Sequence, residues 1–213
     1  MRVVPLGVNI DRFQPATGKA EGKLTLGYLG RIAPEKGVHL LCNAYRDLRK
    51  RGALDNCRLE LAGYLGPEHA AYWQSIEREV GTSGLADEIN YRGELDLDAK
   101  VTFLQSLDLF IVPAVYDDPK GMSLIEAMAC GVPVVAPRRG TYTELLERTG
   151  GGVLVEPENR DQLESTIEQL SGDLARLAEL AQRARAGIQE HYGTDEMAAR
   201  ALAAYERLAP ATA

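Results

Sequence analysis

From residue 24 to residue 155, short, mainly apolar runs alternate with longer stretches in which apolar residues recur at helical spacing. Short runs bounded by turn residues are typical of buried strands, whereas apolar positions three and four residues apart are typical of amphipathic helices. The predicted strands are Leu24–Leu29, Arg58–Ala62, Glu88–Tyr91, Leu109–Val112, Pro133–Ala136 and Val153–Val155. The predicted helices are Gly37–Arg51, Glu68–Val80, Asp98–Ser106, Gly121–Cys130, Thr141–Glu147, Arg160–Leu170, Asp173–Glu190 and Asp195–Leu208.

This alternation of strands and helices predicts βαβ units, in which parallel strands form one sheet and helices cover both of its faces. We therefore predict an α/β fold with a Rossmann-like parallel sheet of about six strands and helices on both faces. In such sheets ligands bind beyond the carboxyl ends of the strands. The residues that follow each strand are therefore the candidate site.

Composition narrows the function classes. The 213 residues allow one sizeable domain or two small ones, and 45% hydrophobic content is ample for a core. A net charge of −7 and a pI near 5.1 argue against a nucleic-acid groove or a broadly cationic membrane face. The sequence has neither a signal-peptide pattern nor an apolar run long enough to span a membrane. We expect a cytoplasmic protein that does not bind nucleic acid.

The cysteines and histidines do not suggest a metal site. Cys42, Cys57 and Cys130 lie within apolar patterns and form no pair at metal-ligand spacing, so they are interpreted as reduced core residues of a cytosolic protein. The three histidines are His39, His69 and His191. Each lacks a carboxylate or cysteine partner at ligand spacing, so all three are interpreted as structural or surface residues. The sequence predicts no bound metal.

The stretch from Tyr116 to Ala136 contains a short predicted helix that begins near Gly121 and ends near Gly131. The first turn of a helix has free backbone N–H groups at the positive end of the dipole, and this is a suitable site for an anion. The candidate donors are the amides of Gly121, Met122 and Ser123.

Glu126 lies one turn inside the same helix and is its only acid. Without a basic partner at helical spacing, its carboxylate is a candidate acceptor for paired hydroxyls such as those of a ribose. The alternative is a solvated side chain on the outer face, as is usual for single charges on helices. Spacing alone leaves both interpretations open.

The loop Gly30–Gly37 follows the first predicted strand and leads directly into a helix. Arg31 and Lys36 flank its turn, and two cations at a strand end suit a diphosphate. The alternative is a pair of solvated surface charges.

Two motifs resemble signatures of the retaining GT-B glycosyltransferases of family 4, also called group 1. The first is an acid, Asp118, followed after seven residues by Glu126 and then by Ala-Met-Ala-Cys-Gly-Val-Pro-Val-Val-Ala. The second, Gly-Arg-x-x-x-x-Lys-Gly, is the loop Gly30–Gly37. The chain departs from the family at Asp118, where Glu is usual, and at Lys120, where an aromatic residue is common. Lys120 is expected to add positive charge near the phosphates.

The resemblance implies a role for each of these residues. Arg31 and Lys36 are expected to hold the donor diphosphate and stabilise the charge that develops as it leaves, so no metal is required. Glu126 is expected to hold the nucleotide ribose, and Asp118 to orient the donor sugar. The amides of residues 121–123 are expected to contact sugar and phosphate.

By the same resemblance, the chain is the nucleotide-sugar-binding half of a retaining, metal-independent glycosyltransferase. Its donor is expected to be a UDP-, GDP- or ADP-sugar of the hexose type, with no further cofactor, used in polysaccharide or glycolipid synthesis. The acceptor is unknown. Any peripheral contact with the inner face of the membrane is expected to be made by the missing half.

The first residues, Met1–Pro15, resemble the segment through which such chains enter the second of two Rossmann-like domains. We therefore predict an interdomain connecting segment at 1–23, the binding domain at 24–190, and a C-terminal helix at 191–213 that packs back on the first domain. The first domain, and with it the acceptor site, is expected to be absent from this chain, which should be inactive without it.

Two further strand ends, Gly63-Tyr64 and Tyr91-Arg92-Gly93, are candidates for bordering the base. Arg92 is counted among the donor-binding residues on this ground. Tyr64 and Tyr91, like Trp73, are interpreted first as packing residues.

The sequence lacks the motifs of two other nucleotide-binding classes. Gly27-Tyr-Leu-Gly30 lacks the second glycine of a dinucleotide fingerprint, and the sequence has no P-loop motif. Two alternatives remain: an epimerase or phosphorylase of the same fold, and a non-catalytic sugar-nucleotide-binding module. The departures at Asp118 and Lys120 are compatible with the module.

Overall fold

The computed structural model describes residues 3–18 and 22–207. Within these residues the core is one parallel sheet whose six strands are ordered β3-β2-β1-β4-β5-β6. The strands are β1 Leu24–Leu29, β2 Cys57–Ala62, β3 Ile89–Tyr91, β4 Leu109–Ile111, β5 Val134–Pro137 and β6 Gly152–Val155. The helices are α1 Val38–Lys50, α2 Ala70–Thr82, α3 Leu97–Gln105, α4 Met122–Ala129, α5 Gly140–Thr149, α6 Arg160–Ser171, α7 Leu174–His191 and α8 Thr194–Glu206.

Each predicted strand and helix is present, and the ends observed in the structure differ from the predicted ends by at most two residues. Leu208, the predicted end of the last helix, lies outside the described residues. The α/β fold with a Rossmann-like parallel sheet covered on both faces is confirmed.

Alternating strand residues supply two separate cores, because successive side chains of a strand point to opposite faces. Leu109 and Ile111 of β4 pack in one core with α1, α2 and α6. Phe110 packs in the other core with α3, α4 and α5. Helix α7 contributes to both cores.

The strand order reverses between β1 and β4, which pair in parallel with Leu26 beside Leu109. The loops after these two strands therefore leave the same edge of the sheet side by side. Such a reversal opens a crevice at the carboxyl ends of the strands, where ligands of this fold class bind. The two motifs singled out in the sequence, Gly30–Gly37 and the stretch that ends in α4, both begin there.

The cysteines are all free and buried, as predicted for core residues. Burial raises the pKa of the Cys42 and Cys130 thiols to about 12. In the described part of the chain, no helix is long and apolar enough to cross a membrane. Those residues also contain no cluster of three or more His, Cys, Asp or Glu side chains arranged to hold a metal ion.

The described part of the segment before β1 lies against the junction of α7 and α8. The Val8 amide donates to the carbonyl of Tyr192, and the Thr194 amide donates to the carbonyl of Val8. Phe13 is buried, and Arg185 of α7 donates to its carbonyl oxygen at 2.7 Å. The segment is thus joined to α7 and to the first residue of α8, whereas the proposed division at residues 23 and 190 stays a prediction.

Candidate active site

The loop after β1 is shaped by Gly37, which has a φ of 74° and ends a short turn, Pro34–Lys36. A Cβ at this position would collide with the carbonyl oxygen of Pro113, in the loop after β4. Glycine therefore lets the two loops approach each other. This approach brings Lys36 towards the residues that precede α4.

The two loops and α4 enclose an open cleft of about 530 Å³. The cleft contains most of the predicted site residues, supplied by the ends of β1 and β4 and by helices α3, α4 and α5. Its polar and charged lining residues are Tyr28, Arg31, Lys36, Lys100, Tyr116, Asp118, Lys120, Ser123, Glu126 and Tyr142.

The two predicted diphosphate ligands both face the cleft, and both have carboxylate partners. Arg31 is half-exposed and donates from Nη2 to Oε1 of Glu35 at 2.8 Å. Lys36 is largely buried, hydrogen-bonds to the hydroxyl of Tyr116, and lies 3.3 Å from Oδ2 of Asp118. Both cations are thus held in place within the cleft.

The Asp118 carboxylate is surrounded by donors. Its Oδ1 accepts from the amides of Lys120 and Gly121 at 2.9 and 3.0 Å. Its Oδ2 accepts from the hydroxyls of Tyr116 and Tyr142 at 2.8 and 3.1 Å, in addition to the Lys36 contact. A carboxylate offers about four acceptor sites, so these five donors occupy them all.

These contacts also set the ionisation of Asp118. Burial by itself raises the pKa of the carboxyl, but the Gly121 and Lys120 amides, the Tyr116 hydroxyl and the Lys36 charge outweigh it. The net result is a pKa well below the usual range for aspartate. Asp118 is therefore a fixed anion that holds the turn leading into α4.

The first turn of α4 presents the expected backbone donors with one exception. Gly121 is the N-cap, and its amide donates to Asp118 instead of pointing freely into the cleft. Within the described residues, the amides of Met122 and Ser123 have no acceptor, as is usual for the first turn of a helix. The anion-binding donors are therefore reduced from the predicted three to these two.

Glu126 faces the cleft and is largely buried. The alternative interpretation, a solvated side chain on the outer face of α4, is therefore wrong. Its Oε1 accepts from Nζ of Lys100 at 2.6 Å. Lys100 belongs to α3, so the basic partner that helical spacing within α4 did not supply comes from a neighbouring helix.

Arg92 is not brought to this cleft. Its guanidinium binds the buried carboxylate of Glu60, with Nε 2.7 Å from Oε2, in a separate surface groove beside α3. The prediction that Arg92 is a donor-binding residue is therefore not supported through its side chain. Of the neighbouring aromatic residues, Tyr91 packs on Trp73 as interpreted, with ring centroids 4.6 Å apart, whereas Tyr64 is exposed.

Sequence reasoning missed four polar residues of the cleft, which are Tyr28, Lys100, Tyr116 and Tyr142. Tyr116 stands two residues before Asp118, and its position in the quoted stretch was the only signal available. Tyr142 is buried on α5, where burial and then the Asp118 charge raise the pKa of its hydroxyl. A buried tyrosine hydroxyl needs a partner, but the sequence does not reveal which one.

The residues that line the cleft lie within the region that matches a known protein family. The family model for glycosyl transferases group 1 matches residues 9–187. The chain belongs to this family. The match extends over all the cleft residues and most of the described segment before β1.

Three known proteins are similar to this chain. The lipopolysaccharide core biosynthesis mannosyltransferase LpsB of Rhizobium meliloti (strain 1021) is 29% identical over 97% of this chain and 60% of its own length. The solved sucrose-phosphate synthase of Thermosynechococcus elongatus is 26% identical, with a TM-score of 0.84 over 97% of this chain and 52% of that protein.

A structure of the Anabaena protein HepE in complex with UDP and glucose is 20% identical. It has a TM-score of 0.84, covering 94% of this chain and 55% of that protein, and so shows the shared fold. This chain spans about half the length of the curated relatives it matches.

Proposed function

We propose that this chain is the donor-binding half of a retaining glycosyltransferase that moves a hexose from a nucleoside-diphosphate sugar to an acceptor. One observation carries the proposal. At the strand-order reversal, Arg31, Lys36 and the first turn of α4 converge on one cleft with the carboxylate of Glu126. Cations with helix amides suit a diphosphate, and a carboxylate beside them suits a ribose.

The donor diphosphate lies between the Gly30–Gly37 loop and the first turn of α4. Arg31 and Lys36 supply charge-assisted hydrogen bonds to the diphosphate. The amides of Met122 and Ser123 donate further hydrogen bonds at the positive end of the α4 dipole. As the bond from the anomeric carbon to the diphosphate breaks, negative charge builds on the leaving group. Donors already fixed around that charge stabilise it without a divalent metal.

Asp118 acts on the donor sugar indirectly. Because its acceptor sites are occupied, it is a positioning residue that fixes the turn through Lys120 and Gly121 on which the sugar rests. Lys120, exposed at the edge of the cleft, adds a cation beside the phosphates. The glucose and UDP bound by the Anabaena protein support a hexose and a nucleoside diphosphate as the donor components.

The acceptor site and the remaining catalytic groups belong to a second, N-terminal GT-B domain of the same protein. The half-length matches to the curated relatives support this partner. So do the exposed apolar residues of the segment before β1, Val3 and Leu6, and of α8, Leu202 and Tyr205. We place the whole protein in the cytoplasm, where three free cysteines stay reduced. Any membrane contact is made by the other domain.

A non-catalytic nucleotide-sugar-binding module is the second candidate. The observation that favours it is the Asp118 carboxylate, whose acceptor sites are all used within the protein. If the complete two-domain protein transfers sugar to an acceptor, it is the glycosyltransferase and not the non-catalytic module.

The test of the proposed site is the Glu126→Gln variant. UDP, GDP and ADP are titrated by calorimetry, and the tightest of them is compared with its 2′,3′-dideoxy analogue. A carboxylate offers acceptors on both oxygens to a diol, whereas an amide offers only one. We therefore expect weaker binding of the ribonucleotide and little change for the dideoxy analogue.

The control is Glu147→Gln, which changes an exposed glutamate on α5 that pairs with Arg138. It should bind both nucleotides as the unmodified chain does. Equal weakening of both analogues by Glu126→Gln, or no binding of any of the three nucleotides, would contradict the proposal.

A further inference from the structure

We infer that Lys100 is a positioning residue of the donor site, which holds the Glu126 carboxylate in the orientation that accepts the ribose hydroxyls. The inference rests on the proposed function, because it takes Glu126 as the ribose ligand. Lys100 belongs to neither of the two sequence motifs. It reaches the site from α3, 26 residues earlier in the chain.

The geometry of the pair is that of a fixed, partly buried contact. Nζ of Lys100 lies 2.6 Å from Oε1 of Glu126, and the two side chains are 24% and 13% exposed. A carboxylate removed from water to this degree is costly unless a charged partner compensates for it. Lys100 supplies that partner from the wall of the same cleft.

The contact leaves Glu126 open to a ligand. Lys100 uses one acceptor site on Oε1, and within residues 3–18 and 22–207 no donor reaches Oε2. Sites remain on both oxygens for two hydroxyls. Asp118, in the same cleft, has no site left. Of these two acids, Glu126 is the one arranged to receive an outside donor.

Charge gives Lys100 a second effect. A diphosphate brings negative charge into a cleft that already holds the carboxylate of Glu126, and like charges in a partly buried site repel. The Lys100 ammonium neutralises Glu126, so the carboxylate can bind a hydroxyl pair without opposing the phosphates.

Lys100 is itself held by the segment before β1. Its ammonium lies 5.3 Å from the centroid of the Phe13 ring, within range of a cation–π contact. Phe13 is buried, and Arg185 joins its carbonyl to that of Ala129, at the end of α4. The same helix, α4, carries Glu126, so both members of the pair rest on one packed unit.

The experiment compares Lys100→Met, Lys100→Gln and Lys100→Arg. Each is titrated with the tightest-binding of UDP, GDP and ADP, with its 2′,3′-dideoxy analogue, and with inorganic pyrophosphate. The matched control is Lys50→Met, which removes an exposed ammonium at the end of α1. Thermal unfolding confirms that each variant is folded, and Lys100→Gln replaces Lys100→Met if the latter does not fold.

We expect Lys100→Met to weaken binding of the ribonucleotide at least tenfold. Binding of the dideoxy analogue and of pyrophosphate should weaken by a smaller and similar factor of about two to three, which reports the unneutralised charge of Glu126. Lys100→Arg should restore binding to within about threefold, since it keeps a charged donor. The double variant of Lys100→Met and Glu126→Gln should bind no more weakly than Glu126→Gln alone, because the two residues act as one unit.

An equal loss for all three ligands would show a general structural role and overturn the inference. The same equal loss would follow if Lys100 bound the diphosphate directly, because all three ligands carry one, and the inference would be overturned in that case as well. If Glu126→Gln itself loses no preference for the ribose diol, the proposed function fails and the inference with it. If Glu126→Gln behaves as proposed and Lys100→Met does not, the inference alone fails.

Discussion

Lys36 Nζ lies 3.3 Å from Asp118 Oδ2, so a partly buried ion pair joins the loop after β1 to the turn before α4. The two residues are 82 positions apart in the sequence. Each belongs to one of the two family signatures, and the pair therefore fixes the two halves of the cleft relative to each other. It also means that removing Lys36 affects the protein as well as the ligand.

The first prediction concerns Arg31→Ala and Lys36→Ala. Each should weaken binding of a nucleoside diphosphate by roughly 1.5–3 kcal/mol more than it weakens binding of the bare nucleoside, because each removes a charge-assisted contact. Only Lys36→Ala should also lower the melting temperature, since it leaves Asp118 without its ammonium partner. Calorimetry with both ligands and a thermal scan check this. Equal losses for nucleoside and nucleoside diphosphate would show that these cations do not hold the diphosphate.

The second prediction concerns pH and Asp118→Asn. The native pKa of Asp118 is held below its usual value, and an unfolded aspartate ionises near pH 3.9. Its stabilising contribution is therefore complete above about pH 5 and is lost as the pH falls towards the native pKa. The melting-temperature difference between the unmodified chain and Asp118→Asn should be constant from pH 7 to 5 and shrink in more acidic buffer.

The control for this series is Asp117→Asn, which changes the exposed neighbouring carboxylate. Its melting temperature should follow that of the unmodified chain at every pH. A difference for Asp118→Asn that stays constant down to pH 3 would refute the role assigned to its carboxylate.

The sequence predicted the sheet and helices well because each depends on a local pattern. The short, mainly apolar run Leu24–Leu29 favours a buried strand, and Gly121 and Gly131 limit α4 whatever packs against it. Arg31, Lys36 and Glu126 were candidates because each stands at a strand end or in a helix turn, but it was the resemblance to the family motifs that favoured them over solvated surface charges.

Contacts between distant elements were not predictable in this way. The Lys100–Glu126 pair depends on how α3 packs against α4, and no local pattern in either helix encodes that. The side chain of Arg92 lies outside the cleft because β2 and β3 pair with Glu60 beside Asn90. Strand alternation then points Arg92, two residues later, to the face of Glu60.

The third prediction concerns the apolar surface of α8. None of its residues is buried, and Leu202 and Tyr205 are 59% and 71% exposed. Leu202→Asp and Tyr205→Ser should change the free energy of unfolding of this chain by less than about 0.5 kcal/mol. They should nevertheless weaken its association with the separately produced N-terminal domain, measured by calorimetry. Leu174→Asp, at an exposed position on α7, is the control and should leave association unchanged. Association that resists both α8 variants would remove α8 from the proposed interface.

The fourth prediction is that this chain alone transfers no sugar. A reaction between two substrates needs both held in register, and loss of that positioning can cost about 7–11 kcal/mol of barrier. Release of nucleoside diphosphate should therefore depend on an acceptor only after the N-terminal domain is added. Acceptor-dependent turnover by the isolated chain would contradict the two-domain proposal.

The central claim is that this chain holds a complete, metal-independent donor site. It is tested most directly by calorimetric titration of UDP-, GDP- and ADP-hexoses into the chain in EDTA, repeated with magnesium. Because Arg31, Lys36 and the α4 amides supply the positive charge, at least one donor should bind saturably in EDTA, with the same affinity when magnesium is present. Binding that appears only with magnesium, or no binding of any of the three donors, would contradict the account.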